Sequence, residues 1–405
     1  MIMKNLGGRT VRRIDNLIIL SLCALIFGLP FSISIIEIAA TVAIVLWIFK
    51  KIIITRSLRV EDTPLNVPTS VYFLFVLFSI YNSKFLMTSL IGFGFKSMEH
   101  FLLFVVIMDT VRTQRDIKKL VAAVLLSCCL IGVDGIWQYF QGHDFLRGYA
   151  LPSLSRVTAS FKFPNGFGAW LVTVLPICIS LPLFANWRKP AKLWGGVLSL
   201  LVLACLFLTF TRAAWLSFLP AIVFIVWKKG KIAKNILLVS LVLIILSVGL
   251  LFVGGSKDII LSYTVRGSSI AHRAAMNEMC WRMFLDHPFF GHGINTFMSI
   301  YAQYLDPNIF GLSYAHNCYM QIAVETGIFS LLAFLWIIAV LFSSSSRNIN
   351  QKKDGFVKAT QIGILAGLLA YLIQSALETN LYALQLAILF YYFLGLAAAL
   401  LSIKD

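Results

Sequence analysis

The sequence predicts an all-α integral membrane protein of about 12 transmembrane helices, with a large periplasmic-type loop between helices 9 and 10. Three observations carry that expectation. Apolar runs of about 20 residues recur along the chain, each long enough at 1.5 Å per residue to cross a hydrocarbon core of about 30 Å. Charged residues make up 13% of the 405 and mean hydropathy is +0.87, whereas soluble domains carry roughly 25% charged residues. Finally, 24 of the 34 lysines and arginines fall in alternate connections between the runs, the pattern left when basic loops stay cytoplasmic.

Taken in order, the first run, 15–29, follows Lys4, Arg9, Arg12 and Arg13 as a signal peptide would. No small-x-small cleavage site precedes Pro30 and the next span follows at once, so a retained helix is expected. Span 32–49 ends on Lys50, Lys51, Arg56 and Arg59; spans 67–82 and 92–110 lead to Arg112, Arg115, Lys118 and Lys119, which precede 119–139. Span 164–185 closes before Arg188, Lys189 and Lys192. The run 192–227 is too long for one helix and is divided at "TFTRAA" into 192–210 and 212–227. Lys228, Lys229, Lys231 and Lys234 precede 233–253; Arg347, Lys352, Lys353 and Lys358 separate 316–342 from 357–377; the last span, 382–402, leads to Lys404. An even count puts both termini in the cytoplasm.

Residues 1–405 thus read as a single transmembrane domain, with 254–315 a loop within it. About 60 residues without a spanning run suit a functional loop, and 270–285 has the spacing of a short amphipathic helix lying on the bilayer. A second outward connection covers 140–163. No internal repeat is visible, which counts against repeat-built transporters. The net charge of +17 is scattered between spans and not gathered on one solvated face, so no nucleic-acid partner is expected. The seven cysteines form no C-x-x-C pair, and neither a disulfide framework nor a zinc site is indicated. Asp286, His287 and His292 make a poor metal set, because Pro288 and the flanking glycines break helical spacing.

The polar residues at the outward starts of spans are the candidates for chemistry. Arg212 opens the eighth span between two apolar stretches, either snorkelling to headgroups or binding a ligand. Arg156 and Lys162 precede the sixth span, where Pro164, Asn165 and Gly166 suit a helix opening whose amides favour an anion. Arg266, Arg273 and Arg282 recur in the loop. In "SYAHNCYMQIAVETGIFSLL", residues 313–332, a helix starting near His316 would carry Asn317, Gln321 and Glu325 on one stripe descending about 12 Å into the membrane. Their roles stay open between substrate contact and helix packing. His316 sits at the mouth of that stripe, and an imidazole, with its ordinary pKa near 6.5, accepts a proton at neutral pH. One outward cavity holding several cations and one base suits a lipid-linked pyrophosphate, which arginine's planar fork binds well.

These residues resemble the O-antigen ligase and polymerase superfamily, multi-span bacterial glycosyltransferases acting on undecaprenyl-pyrophosphate sugars. The likeness is carried by His316 and Asn317 in a His-Asn-x9-Gly pattern ending at Gly327, by "TRAAWL" with Arg212, and by Arg273 and Glu278 leading into "DHPFFGHG". Ser330 stands where the family often has a second Gly or Thr. The resemblance implies a ligase of the bacterial inner membrane with its active site facing the periplasm. The implied donor is an undecaprenyl-pyrophosphate-linked glycan and the acceptor is the lipid A core. Polymerase and protein oligosaccharyltransferase are the alternatives, and a lipid-linked oligosaccharide transporter is a reading from another class. His316 would be the base on the acceptor hydroxyl, in a metal-independent, inverting reaction that needs no cofactor. Arg212 and Arg273 would hold the diphosphate, with Arg156, Asn317 and Glu325 as further substrate contacts.

Overall fold

The computed structural model describes residues 2–151, 156–230, 273–304 and 314–403. Among them the chain is helical, with one isolated bridge between His143 and Ala150. In order, the helices are α1 Ile2–Gly28, α2 Ile33–Phe49, α3 Asn66–Tyr81, α4 Leu86–Ile91, α5 Met98–Thr110, α6 Gln114–Gln141, α7 Pro164–Phe184, α8 Lys189–Leu208 and α9 Arg212–Lys229. Then come α10 at 273–286, α11 Phe297–Ile300, α12 Cys318–Gln351, α13 Gly355–Ser375 and α14 Leu384–Ser402. A π-helical turn at Gly92–Ser97 joins α4 to α5 in one continuous segment. Eleven of the twelve expected spans coincide with these helices; the ninth, 233–253, and Arg266 lie outside the described residues.

Among the described residues, eight helical segments are long and apolar enough to cross a membrane, as in a multi-pass membrane protein. Three other expected spans, α1, α3 and α9, are not among them; α3 is an apolar helix of 16 residues, and α9 carries Arg212, Lys228 and Lys229 within its 18 residues. Burial separates centre from rim: the apolar stretches of α7, α13 and α14 are 78%, 78% and 83% buried, against 17% for α8. Small residues let the central helices touch. A Cβ on Gly367 of α13 would lie 2.0 Å from the Thr173 carbonyl of α7, so the two backbones meet without intervening side chains, as is common between helices in lipid.

At the end away from His316, the basic cluster after α2 is not simply solvated. Lys50 and Lys51 are buried; Lys51 lies 2.8 Å from Asp109 and Lys50 2.7 Å from Asp15, while Trp47 Nε1 donates to Asp109 at 2.8 Å. Charges taken out of water need such partners.

The expected amphipathic helix exists as α10, but its apolar stripe faces protein and not lipid. Met276, Met279, Cys280 and Met283, at helical spacing, are fully buried against Phe297, Ile300, Tyr301, Ala315 and Val324. The loop's own apolar residues supply the cover, which a reading of α10 alone had no means of including.

Candidate functional site

The starts of α7, α9 and α12 and the connection between α13 and α14 meet at one end of the bundle. Pro164 stands in the first turn of α7, where its missing N–H costs nothing. The reversal from α8 to α9 is as tight as "TFTRAA" suggests, with Phe210 in the left-handed region at φ +49°. Arg156 staples the two helix starts: Nε donates to the Thr209 carbonyl at 2.9 Å, and Nη2 donates to Asn165 Oδ1 at 2.9 Å and Thr211 Oγ1 at 3.2 Å. Thr211 Oγ1 in turn donates to the Pro164 carbonyl at 3.2 Å. Arg156 therefore shapes the site's wall. Arg212, the next residue along, is exposed and makes no hydrogen bond or ion pair among the described residues.

The centre of the network is Glu378, in the short connection after α13. Its side chain is only 10% exposed. Oε1 accepts from Arg273 Nη2 at 2.6 Å and from Asn165 Nδ2 at 2.9 Å; Oε2 lies 3.2 Å from His316 Nδ1. Arg273 Nη1 also donates to the Leu377 carbonyl at 2.7 Å, so its fork grips backbone and carboxylate together. Burial alone would push the Glu378 carboxyl up. The His316 hydrogen bond and the Arg273 charge outweigh it and hold the group below the ordinary glutamate value. Glu378 is thus a carboxylate at neutral pH, and the Nδ1 facing it must be the nitrogen that carries hydrogen.

Local backbone holds His316 in place. Asn317 caps α12, its Oδ1 accepting from Tyr319 N at 3.0 Å and Met320 N at 3.2 Å. His316, just before the cap, takes φ +51°, a left-handed conformation that a non-glycine residue adopts at some cost. Cys318 Sγ donates to the Glu378 carbonyl at 3.2 Å, tying the first turn of α12 to the same connection.

Glu325 has different partners. It is buried, and its carboxylate accepts from the backbone N–H of Asn295 at 2.9 Å and of Phe297 at 3.1 Å, with Gln321 Nε2 3.5 Å away. The stripe of Gln321 and Glu325 thus faces the returning loop. Beside it α12 breaks at Gly327, φ +81° and ψ 177°, and "DHPFFGHG" fills the break. His292 N donates to the Val324 carbonyl at 3.0 Å, Gly293 N to Glu325 at 2.8 Å, and Ile328 N to Pro288 at 2.8 Å. Glu325→Ala is expected to cost about 2 kcal/mol, since it orphans the buried N–H of Phe297 and the half-buried N–H of Asn295, while Glu325→Gln, which keeps an acceptor oxygen, costs less. Thermal unfolding of the purified variants checks this; an Ala variant melting with the parent would remove the clamp role.

The structure therefore joins His316, Arg273 and Arg156 through Asn165 and Glu378, sets Arg212 beside them in the chain, engages Asn317 as a cap, and turns Glu325 toward the loop. Lys162 is exposed over the Phe163 ring. Arg282 pairs with Glu278 at 3.5 Å on an open face, where such pairs contribute little. Sequence reasoning missed Glu378 and took Asn165 only as a residue near the α7 cap. A signal for Glu378 was present: it is the single charged residue between Lys358 and Lys404, and an ionisable group isolated in apolar sequence calls for a partner.

Residues 197–335 match the family model described as O-antigen ligase. That stretch is about a third of the chain and contains Arg212, Arg273, His316 and Gly327, while Arg156, Asn165 and Glu378 lie outside it. The match supports the O-antigen ligase superfamily. No curated protein matches the chain.

Proposed function

We propose, starting from the O-antigen ligase superfamily, that the chain is a ligase that transfers a glycan from undecaprenyl pyrophosphate to the lipid A core at the periplasmic face of the inner membrane. The observation that carries this reading is the joining of His316 and Arg273 through one buried carboxylate, next to the helix start that bears Arg212.

In the proposed reaction His316 Nε2 takes the proton of an acceptor hydroxyl as its oxygen bonds to the anomeric carbon. The bond from that carbon to the pyrophosphate oxygen breaks and its electron pair leaves with the diphosphate. Attack from the opposite face inverts the centre. A pyrophosphate is already a good leaving group, so orientation, proton removal and charge neutralisation suffice, and the reaction runs without a metal or cofactor. Arg212 and Arg273 neutralise the departing charge. Arg212→Ala is expected to abolish transfer, as removal of one preorganised charge-stabilising donor costs on the order of 10²–10³ in rate.

The test gives the purified protein an undecaprenyl-pyrophosphate glycan with lipid A core, and separately without a second acceptor. Glycan on the core supports a ligase. Chain lengthening alone replaces it with a polymerase, and no release of lipid pyrophosphate in either arm refutes glycosyl transfer. Full activity in Arg212→Ala would remove that residue from the mechanism.

A further inference from the structure

We infer that Glu378 is the positioning residue for the base: it holds His316 by Nδ1, leaves Nε2 as the basic nitrogen, and balances the imidazolium that forms when the acceptor is deprotonated. The inference rests on the ligase reading, and names a residue outside both the family match and the motifs of the resemblance.

The geometry makes a chain of single-purpose contacts. Oε2 of Glu378 meets His316 Nδ1 at 3.2 Å, while Oε1 is held separately by Arg273 at 2.6 Å and Asn165 at 2.9 Å. With one oxygen clamped from two other elements, the second cannot rotate away from the imidazole. An ionised carboxylate only accepts hydrogen bonds, so Nδ1 must bear the hydrogen and the lone pair of the ring belongs to Nε2. A buried carboxylate behind an imidazole raises turnover by orienting it and by stabilising its charged form.

Among the described residues, the groups facing this pair come from three helices. Arg273 reaches Glu378 from α10 and Asn165 reaches it from α7, with Arg156 behind Asn165; Cys318 touches the Glu378 carbonyl from α12. Arg273 and Arg156 are cations. Among the described residues Glu378 is the anion that touches His316, and its removal takes that negative charge away while Arg273 and Arg156 remain. An imidazolium there becomes harder to form, which lowers the driving force for proton removal and lets the ring stay neutral at lower pH.

The experiment compares the full-length parent, Glu378→Gln and Glu378→Asp in nanodiscs, with lipid-linked glycan and lipid A core as substrates. Glu378→Gln is expected to lower kcat by roughly 10²–10⁴-fold, and the acid limb of its residual pH–rate profile is expected to move to lower pH. Glu378→Asp should recover part of both. Histidine ¹⁵N spectra, with His316 identified by its loss in His316→Gln, should show Nδ1–H in the parent and a mixture of tautomers in Glu378→Gln. This reading does not depend on turnover, and it serves if Glu378→Gln melts early. Parent-like kcat with an unmoved acid limb would overturn the inference, as would lost turnover with an unmoved limb and an unchanged tautomer, which is what a packing role gives. If the parent transfers nothing, the ligase reading fails; if it transfers and only His316→Ala stops it, Glu378 alone is ruled out.

Discussion

His316→Ala is expected to lose glycan transfer, a fall of roughly 10²–10⁴-fold, while the protein remains in the membrane at the parent's level. On the proposed reading the loss would follow from what the imidazole does and not from what it supports. Its side chain is 28% exposed, its backbone precedes the cap instead of forming it, and the α12 cap belongs to Asn317. Alanine at a left-handed φ of +51° carries a local cost of its own, so the fair comparison includes His316→Asn, since asparagine tolerates that conformation. Transfer to lipid A core by each variant, read against its amount in washed membranes, decides the matter. Parent-level transfer in either variant would remove the imidazole from the mechanism.

Gly327→Ala is expected to be the most damaging substitution away from the base. At φ +81° and ψ 177° this residue occupies backbone space open essentially only to glycine, and an added Cβ would stand 2.0 Å from the Phe289 carbonyl. Both obstacles are backbone, so no side chain can rotate to relieve them. The cost is about 3 kcal/mol or more. What gives way is the seat of the 286–297 stretch: the bonds from His292, Gly293 and Ile328 across the break, then the Glu325 clamp, then α10, whose stripe rests on Val324 and Phe297. Because Arg273 lies on α10, transfer should fall as well, with a lowered melting temperature and faster tryptic cleavage. A variant that melts and transfers like the parent would sink this account.

The two expectations show why some of the site was legible and some was not. His316, Arg273 and Arg212 could be picked out because ionisable groups at the ends of apolar runs are expensive and therefore informative. Gly327 could be marked by its place in a pattern, but its reason lay elsewhere: the loop that fills the break is about 35 residues back along the chain. The mixed fate of the stripe has the same origin. Asn317 and Glu325 share a helix face, yet one caps the helix and the other accepts from backbone donors of the returning loop, and helical spacing does not say what lies opposite. The apolar face of α10 read as a lipid-facing stripe because hydrophobic spacing is identical whether lipid or methionine-rich protein covers it.

By itself the sequence determined the helical, membrane-spanning character of the protein and the positions of eleven helices, though not every limit: α1 starts at Ile2 and not near 15, and α12 runs on to Gln351 past the expected 342. Positions depend on local quantities: run length, hydropathy, and proline, glycine and charge at the ends. It also marked His316, Arg273 and Arg212 as ionisable groups that ask for a reason, and passed over Glu378. Only the tertiary structure decided which of them act together. Glu378 reaches His316 across 62 positions, Arg273 across 105 and Asn165 across 213. No local rule of propensity or spacing relates residues so far apart. Their meeting is set by how α7, α12, α13 and α14 pack, through small residues and close backbones, into the same end of the bundle.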